Sequence, residues 1–162
     1  MNTKASLSMV VLTSALLGSS VPGGAAETDS YFASFKSDQV YMREGPSPNN
    51  RIKWVYRRKG LPVEVLAAFD VWRRVRDMDG EIGWVHVALL SRNRTVVVAA
   101  GADAAVRGRQ DESASDIIAE AKPGAIGRLV ACGKLACQVK FDGAAGWVER
   151  ARLWGIRDGE QF

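Results

Sequence analysis

Short apolar stretches alternate with turns rich in glycine, aspartate and proline along this chain, and helical periodicity is never sustained. Residues 39–43 alternate, 54–56 are aromatic and β-branched, and 62–69 put Val63, Val65 and Ala67 on one face. Residues 72–76 set Trp72, Arg74 and Arg76 against Arg73 and Val75. Alternation over such short runs marks half-buried strands. Asp79-Gly80 is a hairpin signal, and residues 82–85 form the returning strand. Residues 115–120 (SDIIAE) have the look of a helix start, but their register with residues 51–56 favours a strand.

That register belongs to an internal repeat. Arg43 aligns with Arg107 at an offset of 64, as do Lys59-Gly60 with Pro123-Gly124, Val65-Leu66 with Leu129-Val130, and Val75 with Val139. One residue is then lost. At an offset of 63, Asp79-Gly80 matches Asp142-Gly143, Gly83-Trp84-Val85 matches Gly146-Trp147-Val148, and Leu90 matches Leu153. The repeats cover residues 31–91 and 102–156. Between them, residues 95–101 open with the uncharged, mostly β-branched run Thr95–Ala99 and read as a connecting strand. Gly83 and Gly146 are expected where two backbones approach closely or a strand bulges. Trp84 and Trp147 are expected in the two cores.

The first residues follow a different plan. Lys4 is the only charge before Glu27, an apolar run spans residues 7–17, and small, turn-prone residues follow. This is the order of a secretory signal peptide over residues 1–26, with cleavage expected after Ala26 or nearby; an uncleaved anchor is the alternative. Export would place residues 27–162 in an oxidising compartment, with the periplasm as the expected location.

Composition narrows the chemistry. One histidine and two cysteines leave no ligand set for most zinc or His-based sites, so no metal or cofactor is expected. Charge is divided unevenly. Residues 31–94 hold twelve Lys/Arg against seven Asp/Glu, a net +5, whereas residues 95–162 hold nine of each. The excess gathers at Arg51, Lys53, Arg57, Arg58, Lys59, Arg73, Arg74 and Arg76. It is either a solvated strand face or a docking face for an anionic partner. Nucleic acid is not an expected partner of an exported protein.

The run R-x-G-P-S, K-G, V-E-V-L, W-R-R-V, D-G-x-x-G-W-V and L-L resembles a bacterial SH3-like (SH3b) domain. The second repeat is a degenerate copy: A-V-R, K-P-G, L-V-A-C, D-G-A-A-G-W-V, R-L-W-G. The resemblance implies an all-β fold of two tandem small SH3-like barrels after the signal peptide. It also implies a non-enzymatic binding role towards cell-wall peptide or protein partners. The second copy departs at Gly108-Arg109-Gln110, which stand in place of Glu44-Gly45-Pro46, and at Ala136, which replaces Trp72. A shared ligand groove is therefore not expected there.

Candidate ligand-binding residues are Tyr41, Arg43, Trp54, Tyr56, Trp72 and Arg74. Tyr41 and Trp54 flank the long loop of residues 43–51 and resemble the aromatic walls of a peptide groove. Ordinary core and edge packing competes as an account of these aromatics. The expected ligand is an extended peptide such as peptidoglycan stem peptide, the alternative being a protein bound by an envelope adaptor. Cys132 and Cys137 would face each other across a hairpin, about 5.5 Å apart at Cα, as a disulfide requires. The bond could compensate for the missing tryptophan. Buried free thiols are the alternative; a redox pair is disfavoured because the spacing is not C-x-x-C. His86 lacks a nucleophile and an orienting partner, so it reads as a surface or turn residue. Asp77 and Asp79 read as hairpin-turn residues because the string D-M-D-G lacks the further acids of a calcium loop.

Overall fold

The structure is a computed structural model that describes residues 26–101, 103–108 and 116–162. The signal-peptide reading, Ala26 apart, lies outside the described residues, as does the departure at Arg109 and Gln110.

Two seven-stranded antiparallel sheets follow one another along the chain. The first contains β1 (Ala26–Phe35), β2 (Val40–Arg43), β3 (Ile52–Tyr56), β4 (Pro62–Phe69), β5 (Trp72–Arg76), β6 (Ile82–His86) and β7 (Leu90–Ser91). The second contains β8 (Thr95–Val98), β9 (Ala104–Arg107), β10 (Ile117–Ala121), β11 (Ile126–Cys132), β12 (Ala136–Lys140), β13 (Ala145–Glu149) and β14 (Leu153–Trp154). A 3-10 turn precedes the last strand of each, at Val87–Leu89 and Arg150–Arg152. The spatial orders β3-β2-β6-β5-β4-β1-β7 and β10-β9-β13-β12-β11-β8-β14 are the same order, shifted by one repeat. The segment that reads as a helix start is strand β10, at the position of β3.

Thr95–Val98 is not a connector. It pairs with β11 and β14 as the first strand of the second sheet, the counterpart of β1. The equivalence extends to single bonds. Phe35 N donates to Leu61 O as Val98 N donates to Ala125 O, both at 2.9 Å. The first strand cannot be aligned by composition, since Phe35 and Val98 share only their burial.

Each sheet wraps its own core. Val40, Met42, Val63, Val65, Val75 and Val85 fill the first; Val96, Val98, Val106, Val139 and Val148 dominate the second. Strand alternation delivers these residues to one face. The repeated Gly-Trp-Val follows from the close antiparallel pairing of β2 with β6 and of β9 with β13. A Cβ on Gly83 would lie 2.8 Å from Arg43 O, and one on Gly146 would be closer still to Arg107 O. The core residue of the triplet is the valine, Val85 or Val148. Of the two tryptophans expected in the cores, Trp147 is buried, whereas Trp84 is only half-buried.

The two domains touch. Thr95 Oγ1 donates to Gly60 O (2.7 Å), and Arg58 Nη1 to Gly124 O (2.9 Å). Phe32 meets Trp154 edge to face, with ring centroids 5.2 Å apart. Arg94, between the two sheets, chelates the Glu160 carboxylate (2.5 and 3.0 Å) and donates to Gly155 O (2.9 Å). Its guanidinium also lies over the rings of Phe32 (5.7 Å) and Phe162 (5.9 Å). The chain end is thereby fastened to the junction, and Phe162 exchanges backbone hydrogen bonds with Cys132 (3.0 and 3.1 Å).

Candidate functional site

A groove of about 460 Å³ opens on the outer face of the first domain, lined by Tyr41, Arg43, Pro48, Val71, Trp72, His86 and Leu89. Strand β2 supplies Tyr41 and Arg43 from alternate positions. The β2–β3 loop supplies Pro48, and Arg43 steadies that loop by donating to Asn50 O (2.7 Å). The β4–β5 hairpin supplies Val71 and Trp72; its tight turn places Asp70 at φ 46°, a left-handed conformation that a short polar residue tolerates. His86 ends β6 directly opposite Trp72, and the two rings meet edge to face at 5.5 Å. Its Nδ1 accepts from Ala88 N (3.1 Å), so a neutral ring carries its proton on Nε2.

Three of the six candidate residues thus come together: Tyr41, Arg43 and Trp72. The other three lie elsewhere. Arg74 sits further along β5, exposed and opposite Trp84. Tyr56 points into the core, packs against Phe35 with ring centroids 4.7 Å apart, and donates to Asp77 Oδ2 (2.6 Å). Burial, and then the bond to Asp77, push its hydroxyl above the ordinary tyrosine range. Trp54 shares a second, smaller hollow with Tyr56, Met78, Asp79 and, from the second domain, Val97. Period 2 explains the split. Tyr41 lies on one side of the sheet, whereas Trp54, half-exposed at the sheet edge, and the buried Tyr56 lie on the other, with their cross-strand partners Met42 and Val40.

His86, Val71, Leu89 and Pro48 were missed as lining residues. His86 was within reach: once the Asp79-Gly80 turn fixes the hairpin, Arg76 opposes Ile82, Arg74 opposes Trp84, and Trp72 opposes His86.

Compared with known families, the sequence matches the family described as bacterial SH3 domain twice, over residues 36–92 and 100–155. The chain belongs to the bacterial SH3 domain family. Both matches begin just after β1 and β8, so the first strand of each domain lies outside the family pattern. Domains of this family often bind cell walls or peptides and are often extracellular. No curated protein matches the chain. Among solved structures, it is similar to NlpC2 from Trichomonas vaginalis, with 12% identity, 80% of this chain covered, 49% of that one, and a TM-score of 0.36. NlpC1 from the same organism gives 12% identity, 81% and 47% coverage, and a TM-score of 0.36. The chain therefore spans about half the length of those structures.

The second bacterial SH3 domain has rebuilt the same place. The equivalents of Tyr41, Trp54, Tyr56 and Trp72 are Ala105, Ala119, Ala121 and Ala136. His86 becomes Glu149, and Leu89 becomes Arg152. The hollow that remains holds about 110 Å³ and is lined by Asp103, Ala105, Glu149 and Arg152. Arg107 Nη2 stands 3.8 Å from the Glu149 carboxylate, and Lys122 pairs with Asp103 nearby. That bond holds the Lys122 ammonium above its ordinary range. Cys132 and Cys137 are cross-strand partners joined by a disulfide, with Cα atoms 4.1 Å apart. They occupy the positions of Ala68 and Arg73, next to the pair in which Ala136 replaces Trp72. Among the described residues, no helix is long and apolar enough to cross a membrane.

Proposed function

We propose that this protein is an exported, non-enzymatic binding protein whose first SH3 domain takes an extended peptide in the outer groove, with peptidoglycan stem peptide as the ligand class. The observation that carries this reading is the contrast between equivalent places: an open, aromatic groove in one domain, and a small charged hollow in the other. Tyr41 is exposed, and Trp72, largely buried, lines the groove with the small part of its ring that remains accessible; aromatic surfaces of this kind bind an extended chain at low entropic cost. Arg43 has guanidinium donors beyond the one spent on Asn50 and suits a peptide carboxylate. His86 Nε2–H suits a backbone carbonyl. The second domain then acts as a structural partner.

Pull-down on purified murein, with NMR titration of stem peptides, tests the assignment. Tyr41→Ala and Trp72→Ala should each weaken binding about tenfold or more, while Arg152→Ala in the second domain leaves it unchanged. Absence of both retention at low salt and shift changes would reject the wall ligand. Co-purification of an envelope protein through the same groove would then favour the adaptor reading.

A further inference from the structure

The two sheets end on equivalent strands of opposite charge. β3 closes one side of the first sheet and pairs only with β2; β10 closes the same side of the second and pairs only with β9, among the described residues. A terminal strand presents unpaired backbone groups to any strand that can reach them. Both are unusually apolar for such a position. β3 exposes Ile52, Trp54 (52% exposed) and Val55, and β10 exposes Ile117 and Ile118 (56% each). Arg51, Lys53, Arg57, Arg58 and Lys59 lie in or beside β3, with Arg51 near Glu44 and Lys53 paired with Glu81, so a basic excess remains; Asp116, Glu120 and Lys122 lie in or beside β10, with Lys122 paired with Asp103, so an acidic excess remains.

We propose that the protein associates head to tail, β3 of one copy adding to β10 of a second. Charge decides the pairing. Two β3 edges repel, two β10 edges repel, and only the unlike pair brings opposite charges alongside matched apolar side chains. Each copy carries one edge of each kind, so the contact is heterologous and leaves a free edge at each end of any open assembly. Both ladders are only five residues long, which makes the association weak and reversible. It is independent of the groove, because neither strand supplies a groove-lining residue.

Sedimentation velocity of the purified protein over a range of concentration and salt reads the result. Species larger than the monomer should grow with concentration at low salt and recede as salt screens the charges. Arg57→Glu with Lys59→Glu should give a monomer, as should Ile117→Lys with Glu120→Lys. Mixing the two variants in equal amounts should restore association, because one keeps a native β10 and the other a native β3. A wild type that stays monomeric at low salt overturns the proposal, as does assembly that survives in either variant alone. So does a mixture that stays monomeric while both variants keep the wild-type melting curve. Shift changes along β3 only when an alternating Glu/Val peptide is added, without self-association, would give this edge to a foreign strand and equally overturn it.

Discussion

Asp77 shows how one side chain can hold a turn and a core together. It is buried, and both carboxylate oxygens are engaged: Oδ1 accepts from Asp79 N (3.0 Å) and Glu81 N (2.8 Å), and Oδ2 from the Tyr56 hydroxyl. Removing it leaves the buried Tyr56 hydroxyl without its carboxylate acceptor and two part-buried turn amides unpaired, and a stranded buried donor costs more than the bond itself is worth. Asp77→Ala should lower stability by about 3 kcal/mol, against about 1 kcal/mol for Tyr56→Phe, which removes only one partner. Urea unfolding of both variants measures the difference. The turn half of this role is visible in the sequence as D-M-D-G. The core half is not, because Tyr56 lies 21 residues away on a strand whose facing cannot be read until its pairing is known.

At the scale of elements, hairpins were legible and facing was not. The Asp79-Gly80 turn follows from local spacing, and the β10 strand and the cysteine hairpin follow from register with the first repeat. Which aromatics share a surface depends on the register of β2 against β3, and a bulge between Met42 and Arg43 shifts it within a single strand pair. Hence Tyr41 and Trp54, neighbours across the loop in sequence, lie on opposite faces. The duplicated Gly-Trp-Val suggested two core tryptophans, but only Trp147 is buried, and the repeated feature that packing demands there is the glycine beside each. The second domain's hairpin makes a separate prediction. Its disulfide closes a very short loop, so reduction should cost about 2 kcal/mol. Because Cys132 also holds the chain end through Phe162, amides near residue 162 should lose hydrogen-exchange protection on reduction, while first-domain amides keep theirs.

For the whole molecule, Arg94 adds to the contacts that join the two domains by gathering several partners at their junction. It binds the chain end, the first domain's Phe32 and the second domain's Gly155 at once. The Glu160 carboxyl is held below its ordinary value of 4.5, chiefly by hydrogen bonding from Arg94. A carboxylate with a lowered folded-state pKa contributes its full stabilisation above the ordinary value and loses it as pH falls through the folded one. Glu160→Gln should therefore melt below the wild type at neutral pH, and the two melting temperatures should converge as pH drops beneath about 4.5. Calorimetry across that range checks the sign. Nothing in the sequence singles out Arg94 among the many arginines, since its partners stand 61 and 66 residues downstream.

The first and last strands of each domain lie side by side, β1 against β7 and β8 against β14, so each unit begins and ends at one seam. Only Arg92, Asn93 and Arg94 separate one unit from the next. A copy of such a unit can be spliced in at that seam without cutting through any interior, as a bead is added to a string. Duplication of this kind leaves each bead free to change its own surface, and here one carries an aromatic groove where its sibling carries charges and alanines.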